Sequence, residues 1–243
     1  MLFRSLMSWG WRAAFVSGIA VAFIGIVIRR GMLDSPGKGA VASPLRVAFR
    51  DHRWGVLRIL GLNVASAATY YTLFVYAATW VAQTTKIERA VALDLTTVTI
   101  LTFLVVLPTT AWLSDRYGRK LVLVAGMSAC LLLCYPLVTV MHAGSVATTA
   151  AAQMAFGGLL AMQMAAIPAA MTEMFPQGVR VSAVSVGYGL AYAIFGGTAP
   201  AVATWLITRS GSETAFAWYL TALTAVSLVV ALGIPDRRGK PLS

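Results

Sequence analysis

Long apolar stretches, separated by short segments that hold most of the charged residues, run along almost the whole chain. An α-helix needs about 20 mainly apolar residues to cross ~30 Å of hydrocarbon, and most of these stretches reach that length. The pattern predicts an all-α membrane protein with about seven transmembrane helices. The predicted helices are residues 13–28, 59–82, 90–113, 121–141, 146–171, 181–208 and 215–234.

Lysine and arginine are divided unequally between the two sides that these helices define. If the segment after the first helix is cytoplasmic, fourteen basic residues lie on its side. The other side has five: Arg4, Arg12, Lys86, Arg89 and Arg209. Cytoplasmic loops of membrane proteins are enriched in basic residues. We therefore expect a multi-pass protein of the cell (inner) membrane, with its C-terminus in the cytoplasm and its N-terminus outside.

Composition supports a membrane protein and argues against other classes. Apolar residues make up 59% of the chain and charged residues 11%, whereas soluble domains have roughly 45–50% and about 25%. The net charge of +11 does not indicate nucleic-acid binding, because the basic residues lie in short segments between apolar helices. Cys130 and Cys134 share one face of a helix and are expected to be buried thiols.

No catalytic or cofactor-binding set can be assembled from the sequence. The two histidines, His52 and His142, fall in predicted loops at opposite faces of the membrane. No metal cluster or haem ligand pair is apparent, so we expect neither an enzyme nor a cofactor.

The sharpest motif is a basic loop at residues 113–120, Leu-Ser-Asp-Arg-Tyr-Gly-Arg-Lys, between two predicted helices. It resembles the G-x-L-[AS]-D-R-x-G-R-[RK] signature of the major facilitator superfamily, with Ala111 in place of the leading glycine. Gly118 would permit a tight turn, and Asp115 would pair with a cation or a helix N-terminus. Arg116, Arg119 and Lys120 would hold the loop in the cytoplasm. A plain basic anchor loop is the alternative.

Three further segments resemble the metabolite:proton symporter family within that superfamily: residues 9–15 with Arg29 and Arg30, residues 171–180, and residues 185–200. They occur in the family's order. The resemblance implies helices six to twelve of a twelve-helix transporter, the C-terminal half of a major facilitator fold. It also implies symport of protons with solutes such as proline, betaine, 2-oxoglutarate, citrate or shikimate. Helices one to five would be missing.

The predicted organisation has four parts. Residues 1–30 contain the helix-six equivalent, and residues 31–55 form a cytoplasmic linker with a basic amphipathic piece at residues 45–49. Residues 56–236 form a six-helix C-terminal bundle, and residues 237–243 a cytoplasmic tail. The expected partners are the lipid bilayer, a small organic solute, a proton and the missing N-terminal half of the transporter.

Two groups of residues are candidates for function. Asp115, Arg116, Gly118, Arg119 and Lys120 would form a cytoplasmic gate, reinforced by Glu173 and Arg180 if these two form an ion pair; a solvated loop carboxylate is an equal alternative. Polar residues inside helices are candidates to contact solute. Interhelical hydrogen bonding would explain the same residues. The solute candidates are Asn63, Ser66, Tyr70, Gln153, Gln163, Tyr188 and Tyr192.

Asp94 is the only carboxylate within a predicted helix, near its outer end. Pairing with Lys86 or Arg89 is favoured over membership of a proton relay. The expected function is proton-coupled transport of a small organic acid or zwitterion by alternating access. The alternative is a truncated half that serves a structural or assembly role and does not transport alone.

Overall fold

The computed structural model describes residues 10–31 and 44–234, which contain helices and no strand. The chain divides into two compact units, residues 1–40 and 41–243. The first unit contributes helix α1, Trp11–Gly31, within which residues 13–28 were predicted to span the membrane. Most of its large apolar side chains, such as Phe15 and Val21, are exposed. Arg29 and Arg30 lie in its last turn, where the helix dipole stabilises positive charges.

The second unit is a bundle that begins with a short helix, α2, Pro44–Asp51. This helix includes the predicted amphipathic piece at residues 45–49. Six longer helices follow: α3 Arg53–Thr84, α4 Arg89–Tyr117, α5 Arg119–Ala143, α6 Val146–Thr172, α7 Gln177–Ser210 and α8 Phe216–Leu232.

Five of these helices, α3 to α7, are long and apolar enough to cross a membrane, and α8 is a shorter apolar helix of 17 residues. The predicted segments lie within the observed helices, except that α8 is slightly shorter than predicted. The prediction of an all-α membrane protein is confirmed.

Helix α3 lies at the centre of the bundle. It packs against α7 and α8, and every residue from 61 to 69 is buried. Small residues make these contacts possible: a Cβ at Gly61 would lie 2.8 Å from a Val230 methyl, and one at Gly187 would lie 2.7 Å from an Ile59 methyl. Glycines at helix crossings let backbones approach closely, as is usual in membrane bundles.

Two helices contain a π-helical turn, at Thr72–Tyr76 in α3 and Tyr192–Gly196 in α7. These turns are close in space, because Gly196 packs against the ring of Tyr71. Such turns shift the register of the side chains that follow and are frequent at functional sites. No sequence signal predicted them.

Candidate functional site

The loop at residues 113–120 is a sharp turn between α4 and α5, centred on Gly118. This residue ends one helix and precedes the next, with φ 104° and ψ 138°. Residues with side chains rarely adopt a positive φ of this size, so the turn requires glycine. The predicted turn at Gly118 is therefore observed.

Arg119, directly after the turn, forms an ion pair with Glu173, at the end of α6. It also lies 3.9 Å from a carboxylate oxygen of Asp115, four residues earlier and on the other side of the turn. The side chain of Glu173 is only 19% exposed, whereas that of Asp115 is 73% exposed. The partner of Glu173 is thus a residue from a different loop, and the pair ties the α4–α5 loop to the α6–α7 loop.

The helix dipoles indicate that this ion pair connects two helices and does not stabilise either helix by itself. Arg119 is the first residue of α5, and Glu173 caps the C-terminal end of α6. A cation at a helix N-terminus and an anion at a C-terminus each oppose the helix dipole, by roughly 0.3–1 kcal/mol. Neither charge stabilises its own helix at that position. Their mutual attraction offsets these costs and joins the two loops.

The remaining basic residues of the predicted gate also contact backbone or rings. The Lys120 ammonium donates to the carbonyl oxygen of Leu232 at 2.8 Å, where it caps the end of α8. Arg180 donates through Nε to the carbonyl oxygen of Phe175 at 3.0 Å. The Arg116 guanidinium lies 5.5 Å from the centre of the Trp112 ring.

Most of the bundle's basic residues lie at this end of the six long helices. They flank the motif loop, the start of α3, and the loop that leads into α7: Arg46, Arg50, Arg53, Arg58, Arg116, Arg119, Lys120 and Arg180. The opposite end of the described bundle has Lys86, Arg89 and Arg209. The unequal distribution expected from the sequence is thus preserved when the helices are assembled.

Four of the seven solute candidates are buried inside the bundle. Asn63 donates to the carbonyl oxygen of Ile59 and contacts the Met171 sulfur, and Ser66 donates to the Asn63 carbonyl oxygen. Gln153 donates to the Thr96 hydroxyl of α4 at 3.3 Å. Gln163 is fully buried, as is Cys130.

Gln163 differs from the other buried candidates, because neither of its amide atoms has a hydrogen-bond partner at normal distance among the described residues. Asn63 and Ser66 bond to carbonyl oxygens of their own helix, whereas the Asn63–Met171 and Gln153–Thr96 contacts join two helices, as polar residues in membrane bundles commonly do.

The three tyrosine candidates are partly exposed. Tyr70 of α3 and Tyr192 of α7 are half-buried, and Tyr188 is 39% exposed. Tyr188 and Tyr192 stack with ring centroids 4.2 Å apart. Tyr70 lies on α3, which packs against the part of α7 that carries Tyr188 and Tyr192.

Further aromatic residues, which the sequence did not single out, pack around Tyr70. Tyr70 packs edge-to-face on Tyr71 and Phe74, with centroids 5.8 and 5.0 Å apart. Phe74 in turn packs on Phe103 of α4 at 5.5 Å. The run of aromatic residues around position 70 was the available signal, but their faces depend on the π-helical turn that begins at Thr72.

The pairing of Asp94 with Lys86 or Arg89, which the sequence favoured, is not observed. The Asp94 side chain is exposed on α4, and neither Lys86 nor Arg89 lies within ion-pair distance of it among the described residues. Helix geometry explains the difference. Arg89 precedes Asp94 by five residues, which does not place the two on one face, and Lys86 lies before the helix begins.

A concavity of about 530 Å³ lies at the end of the bundle opposite the motif loop. It is formed by the α3–α4 and α5–α6 loops, and its lining includes Lys86, His142 and Ser145. None of the seven solute candidates contributes to it.

Comparison with known proteins gives one family and a consistent set of relatives. The family model of the Major Facilitator Superfamily matches residues 59–242. The chain is 29% identical to the alpha-ketoglutarate permease of Escherichia coli (strain K12) over 97% of its own length and 55% of the relative's. It is 26% identical to a putative proline/betaine transporter of Staphylococcus aureus (strain COL), covering 93% of the chain and 50% of the relative.

A third relative is the glycine betaine/proline/ectoine/pipecolic acid transporter OusA of Dickeya dadantii (strain 3937), which is 25% identical over 98% of the chain and 51% of the relative. The chain therefore spans about half the length of the curated relatives it matches. No solved structure gives a significant match. The resemblance to this superfamily, inferred from residues 113–120 and the other segments, is confirmed.

Proposed function

Because the chain belongs to the Major Facilitator Superfamily, we propose that it is the C-terminal part of a transporter for a small organic acid or zwitterion. In this proposal α1 corresponds to helix six, and the six longer helices of the bundle correspond to helices seven to twelve. In the proposal residues 31–55 are the cytoplasmic linker and residues 237–243 the cytoplasmic tail; residues 32–43 and 235–243 lie outside the described residues. A segment supplying helices one to five completes the solute path.

The observation that carries the proposal is a set of partly exposed tyrosines on α3 and α7, two helices that pack together. Tyr70, Tyr188 and Tyr192 present hydroxyls and ring faces on two helices that have no charged residue between Arg58 and Lys86 or between Arg180 and Arg209. A neutral, polar and aromatic helix surface can contact a small organic solute. It carries no fixed charge that would hold the solute too tightly. The named solutes of the three relatives are small organic molecules.

The motif end of the bundle supplies the proposed gate. Alternating access requires one end to close while the other opens, and ion pairs between loops are suited to forming and breaking in such a transition. The Arg119–Glu173 pair joins two loops, Lys120 holds the end of α8, and Gly118 sets the turn. Asp115, Arg116 and Arg180 complete the set. The excess of basic residues favours placing this end of the bundle on the cytoplasmic side of the inner membrane.

Proton coupling is the finer part of the proposal. It is supported by the resemblance to the metabolite:proton symporter family. Within the described helices α3, α6 and α7, no carboxylate lies near the middle of the membrane. In this proposal the coupling carboxylate belongs to the segment that supplies helices one to five.

The test uses protein isolated from its own membranes and, separately, the 243-residue chain, each reconstituted into liposomes with an acidic exterior. Intact mass is measured first. The native protein is expected to exceed the mass of the chain by the mass of the missing helices and to accumulate labelled glycine betaine, proline or 2-oxoglutarate. A protonophore should abolish this accumulation, and the chain alone should not accumulate solute.

Two results would count against this function. If the native protein takes up none of these solutes under a proton gradient, transport of this solute class is wrong. If its mass equals that of the chain and neither preparation transports, the alternative of a non-transporting structural or assembly component is favoured. Robust uptake by the chain alone would show that a second half is not needed.

A further inference from the structure

The concavity at the end of the bundle opposite the motif loop is lined by two basic side chains and by no carboxylate among the described residues. It has a volume of about 530 Å³. Lys86 comes from the α3–α4 loop and His142 from the last turn of α5. Glu88, the nearest carboxylate along the chain, is not one of the lining residues. A concavity of this size has room for a small ion or organic molecule.

The backbone on both sides of Lys86 is held in place. The Thr85 hydroxyl donates to the carbonyl oxygen of Val81 at 2.7 Å and accepts from the N–H of Ile87 at 3.1 Å. The side chain of Ile87 is buried. The Lys86 side chain is exposed and has no ion pair among the described residues. The loop therefore positions the lysine without neutralising its charge.

Packing alone does not explain a histidine at position 142. The His142 ring packs on the indole of Trp80, with ring centroids 6.0 Å apart, and an apolar ring could make the same contact. Trp80 is fixed by a 2.9 Å hydrogen bond from its indole N–H to the carbonyl oxygen of Glu213. The buried Nδ1 of His142 has no hydrogen-bond partner in the described part of the chain. Leaving a buried polar atom unpaired costs about 1–3 kcal/mol, so such an atom requires an explanation outside the core.

The start of α6 adds positive potential to the same concavity. Ser145 precedes the helix, and its hydroxyl accepts from the N–H of Thr148 at 3.4 Å. Val146 is the first residue of the helix, and both Ser145 and Val146 line the concavity. The N-terminal end of a helix carries about half a positive elementary charge. Helix α6 has no charged side chain that would offset it.

From the concavity and these three sources of positive potential, we propose that it binds a small doubly charged anion with carboxylate or other oxyanion groups, between Lys86 and His142. Histidine is the side chain that ordinarily gains a proton as the pH falls from about 8 to about 5. Lys86 and His142 are the only titratable residues among those that line the concavity. Protonation of His142 adds a second cation to the site, so binding should strengthen in acid.

This site is separate from the proposed solute path, because none of the seven solute candidates lines it. The inference therefore does not rest on the proposed function.

The experiment measures equilibrium binding of sulfate and of oxalate to the tag-free 243-residue chain in nanodiscs of zwitterionic lipid, at about pH 5.5 and about pH 8. Both anions stay doubly charged over this range, so a pH dependence belongs to the protein. Calorimetry gives the affinity. Nuclear magnetic resonance follows the imidazole signals, and the chain has only two histidines, His52 and His142.

The variants are Lys86→Gln, Lys86→Arg and His142→Gln. Arg209→Gln is the matched control, because it removes one positive charge from the same end of the bundle at a residue that does not line the concavity.

The better-bound anion is expected to bind at least about fivefold more tightly at the lower pH, and His142→Gln should reduce this ratio below about twofold. Lys86→Gln should weaken binding about five- to tenfold, as the loss of a charge-assisted hydrogen bond implies. Lys86→Arg, which keeps the charge, and Arg209→Gln should change it less than about threefold. The imidazole signal of His142 should move when the anion is added, and that of His52 should not.

A preference for oxalate would identify a carboxylate site and a preference for sulfate a tetrahedral oxyanion site, and either supports the inference. The inference is wrong if neither anion binds saturably, or if Arg209→Gln weakens binding as much as Lys86→Gln. It is also wrong if the pH dependence persists in His142→Gln. An unchanged His52 signal in each variant shows that a loss of binding does not come from unfolding. Uptake by the native protein tests the transport function separately.

Discussion

The ion pair between Arg119 and Glu173 predicts a specific response to exchanging its charges. Glu173→Gln removes one partner, and Arg119→Glu places a carboxylate beside Glu173 and Asp115. Combining Arg119→Glu with Glu173→Arg restores a pair with reversed polarity. In this double variant each charge also lies at the helix end that the dipole favours. The exchange therefore separates the interaction between helices from the preference of each helix end.

The magnitudes follow from the burial of the pair. Exposed ion pairs contribute about 0.2–1 kcal/mol, and removing one partner of a fully buried pair costs about 3–5 kcal/mol. The side chains of Arg119 and Glu173 are 34% and 19% exposed, between these limits, and the nearby Asp115 retains part of the attraction. We expect Glu173→Gln to lower the free energy of unfolding by about 1–2 kcal/mol.

Arg119→Glu should lower it by about 2 kcal/mol or more, because like charges then meet. The charge-exchanged double variant should lie within about 1 kcal/mol of the unchanged chain. Two more favourable dipole interactions, worth up to about 1 kcal/mol each, offset repulsion between the carboxylate introduced at position 119 and the exposed Asp115.

The free energy of unfolding is measured by titrating the chain in mixed micelles with sodium dodecyl sulfate, followed by tryptophan fluorescence and far-UV circular dichroism. Glu213→Gln is the matched control, since Glu213 is exposed at the opposite end of the bundle and has no ion pair among the described residues. If the double variant is as unstable as the sum of Arg119→Glu and Glu173→Arg measured separately, the pair does not join the loops and the reasoning fails.

Three further substitutions test packing and the motif loop. Gly187→Ala places a Cβ 2.7 Å from an Ile59 methyl and should destabilise the bundle by about 1–3 kcal/mol in the same titration. Gly189→Ala, which meets nothing within 4 Å, should not destabilise it, and equal effects of the two would contradict the packing. Gly118→Ala forces alanine into φ 104° and should cost about 1–2 kcal/mol, so an unchanged titration midpoint would refute the turn. Lys120→Met removes the bond to the last carbonyl of α8; hydrogen exchange in that turn should accelerate about fivefold, whereas Lys120→Arg should preserve protection.

Much of the fold was available in the sequence because membrane insertion depends on properties that are local along the chain. A helix must satisfy its own backbone hydrogen bonds in lipid, so length and hydropathy alone located the helices. The tight turn in the loop at residues 113–120 was also predictable. Such a turn between antiparallel helices favours glycine, and Gly118 is the only glycine in the loop.

The sequence did not distinguish buried polar residues from accessible ones. Asn63, Ser66 and Tyr70 share a helical face by spacing, yet the first two are enclosed by α6, α7 and α8 and only Tyr70 reaches the surface. Burial depends on which neighbours surround a helix at each depth, and spacing within one helix carries no information about that.

The pairing of charges likewise required tertiary structure. The sequence placed Glu173 near Arg180 and Asp94 near Arg89, because close positions along the chain were the only available measure of proximity. In the bundle Glu173 meets Arg119 from a different loop, and Asp94 has no ion-pair partner among the described residues. The sequence by itself determined that this is a multi-pass helical membrane protein with a basic turn at Gly118. Only the packing of the helices decided which side chains face one another, since contacts between distant segments depend on how whole helices fit together.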